Sequence, residues 1–178
     1  AKRRMRWVRS LRWSRFGLMA HTISLITATS SFETFLIRSS GVDNPSAVPF
    51  SEVERWSADG TINYLGSADD VRGSIAEADC VVLPSYREGV PRSLLEGAAM
   101  GRPLIATDVA GCRDIVEEAS NGFLCEPRSA RDLADALRRM VELAPAERQA
   151  MGRRARAKVE REFAVERVVA AYRRELAL

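Results

Sequence analysis

The stretch SYREGVPRSLLE, residues 85–96, carries two carboxylates, Glu88 and Glu96, with seven residues between them. Gly89, Val90 and Pro91 directly follow the first carboxylate, and the apolar run ADCVVLP directly precedes the stretch. Each residue type suggests a chemical task. Proline suits the first turn of a helix, where its missing N–H has no partner to lose. Glycine lets backbone come close to a ligand. The free N–H groups around Gly89, Val90, Arg92 and Ser93, together with the positive end of a helix dipole, form a natural cradle for phosphate. Arg92 adds a cation. Carboxylates repel phosphate but accept hydrogen bonds from neighbouring sugar hydroxyls. A ligand that needs both a phosphate cradle and two hydroxyl-binding acids is a sugar nucleotide. At 1.5 Å per residue, Glu96 lies about 7.5 Å along the helix axis from Pro91. One acid can then serve a sugar and the other a ribose. The alternative on residue types alone is an exposed Glu88 and a helix-surface Glu96 with no ligand.

The elements that must position this stretch alternate in type. FETFLI (32–37), TINYLG (61–66), DCVVLP (79–84) and PLIAT (103–107) read as short apolar strands, and NGFLCEP (121–127) as a strand or loop. SEVERWSADG (51–60), SADDVRGSIAEA (67–78), RSLLEGAAM (92–100) and GCRDIVEEA (111–119) read as helices. Asp69 and Asp70 read as acids capping the second of these. Three further helices follow from residue 129 to the end. Strands alternating with helices predict βαβ units: an α/β, Rossmann-like parallel sheet with helices on both faces and a C-terminal helical extension. Ligands of such sheets bind beyond the carboxyl ends of the strands, where residues 85–93 fall.

At 178 residues, with 46% hydrophobic and 29% charged side chains, the chain is long enough for one well-buried core. Cys80, Cys112 and Cys125 lack metal-ligand spacing and read as reduced, mostly buried thiols. The lone His21 sits among apolar residues and reads as packing. The net charge of +3 is uneven: residues 1–40 hold eight Lys/Arg and one acid, leaving 19 bases against 23 acids in the rest. The acidic body, without a recognisable binding motif, excludes nucleic acid as a partner. Residues 1–30 form a separate basic segment, expected to be poorly ordered, with residues 31–178 as the domain. Deleting the segment is then expected to cost little stability. Trp7, Leu11 and Trp13 among its cations suggest peripheral contact with an anionic membrane surface.

The run DCVVLPSYREGVPRSLLEGAAMGRPLIATDVAGCRDIVEEASNGFLCEP, residues 79–127, resembles the nucleotide-binding half of the family-4 glycosyltransferases of GT-B fold. It is most similar to the bacterial members that build O-antigen, capsule or exopolysaccharide. The Glu-x7-Glu motif of that family falls on Glu88 and Glu96, and the similarity runs from about residue 32 to the C-terminus. The resemblance implies that Glu88 contacts the donor hexose as the catalytic carboxylate and that Glu96 holds the ribose hydroxyls. Gly89, Val90, Pro91, Arg92 and Ser93 would hold the diphosphate. The loop from Ser67 to Val71 would grip the base, with Gly66, Asp70 and Val71 as candidates. It further implies retention of anomeric configuration, a nucleotide-sugar co-substrate (UDP-linked in expectation) and no metal. The reaction would be cytoplasmic, at the inner face of the membrane.

Two departures accompany the resemblance. A GT-B enzyme binds its glycan or lipid-linked acceptor mainly through a first domain, and no segment here is long enough to be one. Residues 1–30 do not match the strand and loop that open the donor half, with their Arg and Lys for the diphosphate. The alternative expectation is therefore a non-catalytic nucleotide-sugar-binding module, or a remnant without its acceptor domain.

Overall fold

A computed structural model of the chain describes residues 23–29, 35–39, 49–60, 62–66 and 69–176. The strands are β1 (Ile23–Thr29), β2 (Phe35–Ser39), β3 (Asn63–Tyr64), β4 (Ala78–Leu83), β5 (Leu104–Thr107) and β6 (Gly122–Cys125). The helices are α1 (Phe50–Ala58), α2 (Arg72–Glu77), α3 (Arg92–Ala99), α4 (Ala110–Arg113), α5 (Ala130–Glu142), α6 (Pro145–Glu162) and α7 (Val165–Glu175). One sheet holds all six strands in the order β3-β2-β1-β4-β5-β6.

The sheet is parallel except at β1, which runs antiparallel to both β2 and β4. The reason is length. Only residues 30–34 separate β1 from β2, and parallel neighbours need a crossover of a dozen residues or more. β1 also corrects the domain boundary expected at residue 30. Residues 23–29, assigned to the basic segment, form a strand in the middle of the sheet. The sequence ISLITAT is rich in the branched side chains that suit a pleated surface. Residues 1–22, with Trp7, Leu11, Trp13 and His21, lie outside the described residues.

β4 explains the continuous apolar run. Cys80 and Val82 join one core layer with Val53, Trp56, Ile105, Phe123 and Leu137. Val81 and Leu83 join the opposite layer with Ile75, Leu94, Ala98, Leu104 and Ile115. A strand covered on both faces has no reason to alternate polar residues. All three cysteines are free and buried.

Several element bounds differ from the sequence reading. β2 starts at Phe35, β3 is only two residues long, and α2 begins at Arg72. The helix expected over 111–119 lasts one turn, Ala110–Arg113. Asn121 accounts for this: its side chain accepts from the Glu117 N–H at 2.8 Å and donates to the Ile115 carbonyl at 2.8 Å. A buried amide thus satisfies backbone groups that would otherwise continue the helix.

α6 spans the end of the sheet, giving Met151 to one core layer and Ala155 and Val159 to the other. It approaches the α3–β5 turn closely, since a Cβ on Gly152 would lie 1.9 Å from the Gly101 carbonyl oxygen. Lys158 on α6 is buried and ion-paired at 2.8 Å with both Glu117 and Glu162. Desolvation pulls its pKa down, but the hydrogen bonds it donates to the two glutamates outweigh that and leave it raised. The Lys158 hydrogen bond is also the main cause holding Glu117 and Glu162 below the ordinary value of 4.5. α7, in contrast, leaves Val165, Val169, Tyr172 and Leu176 exposed.

Two outcomes follow from this packing. Deleting residues 1–30 should abolish cooperative thermal unfolding, because β1 joins β2 and β3 to the rest of the sheet. Truncation after Ala164 should shift the melting temperature by no more than about 4 °C. The lowered pKa of Glu117 makes its contribution complete above the unfolded value and lost as pH falls below it. Glu117→Gln should therefore lose less melting temperature than the parent between about pH 5 and pH 3.

Candidate functional site

β4 delivers the chain to the carboxyl edge of the sheet, where Pro84 and Ser85 are buried. Arg87, Gly89 and Val90 then emerge to solvent, and Pro91 is buried again. Pro91 has an extended backbone, φ −71° and ψ 118°, and stands one position before the helix, so Arg92 is the first helical residue. The Leu95 N–H donates to the Pro91 carbonyl at 3.2 Å. No side chain caps α3. Its first N–H groups therefore lack intrahelical acceptors and face the edge where β4 ends. α3 itself is fixed by Leu94 and Ala98, both fully buried, and by Gly97, where a Cβ would lie 2.8 Å from Val81 Cγ2.

The two carboxylates stand on either side of this helix start. Glu88 precedes it and is half-buried. Glu96 lies one turn inside, with Arg92 donating to its Oε1 at 3.3 Å. The Arg92 side chain is 90% exposed, so the pair contributes little to stability and a ligand can replace it at small cost. A Cβ added at Gly89 would meet nothing within 4 Å. The protein's own packing does not demand glycine there, and the space above it is open.

Beneath the turn lies a layer from β5 and α4. Thr107 donates its hydroxyl to the Ser85 carbonyl, and the Ser85 hydroxyl donates to the Arg87 carbonyl at 3.4 Å. A Cβ on Gly111 would fall 1.3 Å from the Gly89 carbonyl oxygen and 2.7 Å from that of Glu88. Thr107 and Gly111 read from sequence as turn and cleft-edge residues; the structure puts both under the Glu88 turn. Burial pushes the Cys112 thiol up to about 12, reinforced by the negative charge of Glu88 and opposed by a hydrogen bond with Thr107. Ser85 and Cys112 gave no sequence signal, since neither type nor spacing marks them. On the β6 side, a shallow hollow opens between Tyr86, Thr107, Glu126 and Arg128. There the Arg128 guanidinium lies 5.3 Å from the Tyr86 ring centroid.

The candidates for a base-binding loop lie apart from this turn. Gly66 follows β3 in the left-handed region at φ 70°. Asp70 accepts from the Arg72 backbone N–H and guanidinium, and these hydrogen bonds lower its pKa to about 2. Val71, not an acid, stands at the N-cap of α2, and no side chain caps the helix; Asp70, one position earlier, binds the first helical N–H, and both Asp69 and Asp70 are exposed. Val71 packs against the core. β3 and β4 are separated by β2 and β1, a distance of about 14 Å at ordinary strand spacing. Both strands end on the same edge of the sheet, so the two loops share that edge.

The family described as "Glycosyl transferases group 1" matches residues 5–142. The chain belongs to this family. The match begins earlier than the start near residue 32 that the motif region suggests. The group 1 domain is 34% identical over 83 residues to the N,N'-diacetylbacillosaminyl-diphospho-undecaprenol alpha-1,3-N-acetylgalactosaminyltransferase of Campylobacter jejuni, covering 47% of this chain and 22% of that one. The fold matches sucrose-phosphate synthase from Thermosynechococcus elongatus with a TM-score of 0.68 and 25% identity, over 80% of this chain and 38% of the other. It also matches Anabaena HepE in complex with UDP-glucose, with a TM-score of 0.64 and 22% identity, over 72% and 36% of the two chains. The domain thus has the fold of one half of a GT-B glycosyltransferase, and its match spans about a fifth (22%) of the curated relative's length.

The environment of the thiols yields a direct check. Burial first, then nearby negative charge, raises both Cys112 and Cys125 to about 12. At about pH 8 neither should form the thiolate that alkylating reagents attack. Modification by iodoacetamide, followed by mass spectrometry, should occur only once the group 1 domain is unfolded.

Proposed function

We propose that this chain is the donor-binding half of a retaining glycosyltransferase. It moves a hexose from a nucleotide sugar, with UDP as the nucleotide, to a glycan or lipid-linked acceptor in surface-polysaccharide assembly. One observation carries the reading: two carboxylates straddle a helix start without a side-chain cap, at the carboxyl edge of the sheet, beside a glycine that faces open space. In this reading the N–H groups of Gly89, Val90, Arg92 and Ser93 hold the diphosphate, with Pro91 setting where the helix begins. Glu96 releases Arg92 to accept the ribose hydroxyls, and Arg92 turns to the phosphates. Glu88 accepts hydrogen bonds from the donor hexose and stabilises positive charge developing at its anomeric carbon. Gly66, Asp70 and Val71 border the base. No metal takes part. Support comes from the UDP-glucose complex of the HepE neighbour, and the undecaprenol-linked substrate in the name of the Campylobacter jejuni relative supports a lipid-linked acceptor. Such an acceptor would put the reaction at the inner face of the membrane, on its cytoplasmic side.

Transfer needs an acceptor held beside the donor, and such positioning is worth about 7–11 kcal/mol of barrier. A radiolabelled-sugar assay with lipid-linked acceptors tests this step: incorporation of label supports the reading, and UDP-glucose binding without any incorporation contradicts it.

The binding roles are tested by calorimetry. Glu96→Ala should weaken UDP by about 1.5–3 kcal/mol, the scale of hydrogen bonds to charged groups. Glu88→Ala should weaken UDP-glucose and leave bare UDP nearly unchanged. Equal losses of both ligands in both variants would show that the roles are misassigned.

A further inference from the structure

The turn that carries Glu88 is held at three alternate carbonyls, two of them from below. The Ser85 carbonyl accepts from the Thr107 hydroxyl, and the Arg87 carbonyl accepts from the Ser85 hydroxyl. The Gly89 carbonyl rests against Gly111, with no room for a β-carbon between them. The first and last of these contacts come from the end of β5 and the start of α4, elements with no carboxylate in the Glu-x7-Glu pair, while the Ser85–Arg87 bond is internal to the turn. Thr107 and Ser85 are both buried, 3% and 4% exposed, so water does not readily replace either hydrogen bond. The Thr107 hydroxyl is buried at the end of a strand and spent on a loop carbonyl, so removing it leaves that carbonyl short of a partner. Its effect falls on the loop.

We infer that Thr107 and Gly111 are positioning residues for Glu88: they set the height of the turn above the sheet and hence the reach of its carboxylate toward the donor sugar. Neither residue touches the ligand. Thr107 acts through the Ser85 carbonyl, and Ser85 in turn through the Arg87 carbonyl; Gly111 acts through direct backbone contact. The inference rests on the reading of Glu88 as the sugar-binding carboxylate. It adds a specific consequence. Loosening the turn at Ser85–Arg87 disturbs the sugar end of the donor and spares the nucleotide end, because Glu96 and the start of α3 are anchored independently by Leu94, Gly97 and Ala98.

The test is calorimetry of the full chain with UDP and with UDP-glucose, alongside thermal unfolding. Thr107→Val, which keeps the shape and removes the hydroxyl, should weaken UDP-glucose about tenfold while changing UDP no more than about twofold. Thr107→Ser, which restores the hydroxyl, should bind both ligands as the parent does. Ser85→Ala, which removes only the bond to the Arg87 carbonyl, should show the same split at smaller size and serves if Thr107→Val does not fold. Gly111→Ala should abolish detectable UDP-glucose binding and weaken UDP as well, since Gly89 itself must move. Proportional loss of both ligands in Thr107→Val, no loss at all, or failure of Thr107→Ser to restore binding would overturn the inference. Glu88→Gln run in parallel separates the two claims. If Glu88→Gln shows the split and neither Thr107→Val nor Ser85→Ala does, the positioning role fails and the reading of Glu88 stands. If Glu88→Gln shows no split, both fail.

Discussion

The candidate site depends on how closely two stretches of backbone approach at Gly111. The loop leaving β5 can sit under the turn leaving β4 only because residue 111 has no side chain. Any β-carbon there would overlap the Gly89 carbonyl outright. That approach lets the turn lie low over the sheet and enter α3 at Pro91 without a capping side chain. The height of the Glu88 turn over the sheet follows from this one geometric condition.

Similar constraints act further out, and they share a logic. Gly97 brings α3 against Val81, and Gly152 brings α6 against the Gly101 carbonyl. Gly122 brings β6 within 2.2 Å, measured from an added Cβ, of the Leu104 carbonyl. Close approach at these points fixes α3 from the sheet side and, through the turn that follows it, from α6. A helix start that must present backbone dipoles to a ligand gains from such rigidity, because the dipoles need no reorganisation when charge arrives. The Lys158–Glu117 pair anchors α6 electrostatically at the far end.

The central part of the fold was legible in sequence because local and long-range signals agree there. The run from Ala78 to Leu83 is apolar on both faces, Pro91 marks the helix start to within one position, and Leu94 and Ala98 follow at helical spacing. β1 was not legible. ISLITAT sits behind a basic segment that draws attention away from it, and its antiparallel direction is set by the short link to β2 rather than by its own residues. The helix expected over 111–119 failed because the competing bonds come from Asn121, whose side chain is recognisable only once the chain has folded back on itself. At the candidate site, the placement of the two glutamates around a helix start was readable from type and spacing, while the contacts of Thr107 and Ser85 beneath the turn were not. Support of that kind depends on strand adjacency, which no local spacing encodes.

The account's central claim is that the start of α3 holds the diphosphate of a nucleotide sugar. Amide hydrogen exchange of the full chain, with and without UDP, tests it most directly. The account predicts slowed exchange at Gly89, Val90, Arg92 and Ser93, with no change at the start of α5 around Ala130 to Leu133. Protection centred on α5, or no protection at the start of α3 under saturating UDP, would contradict it.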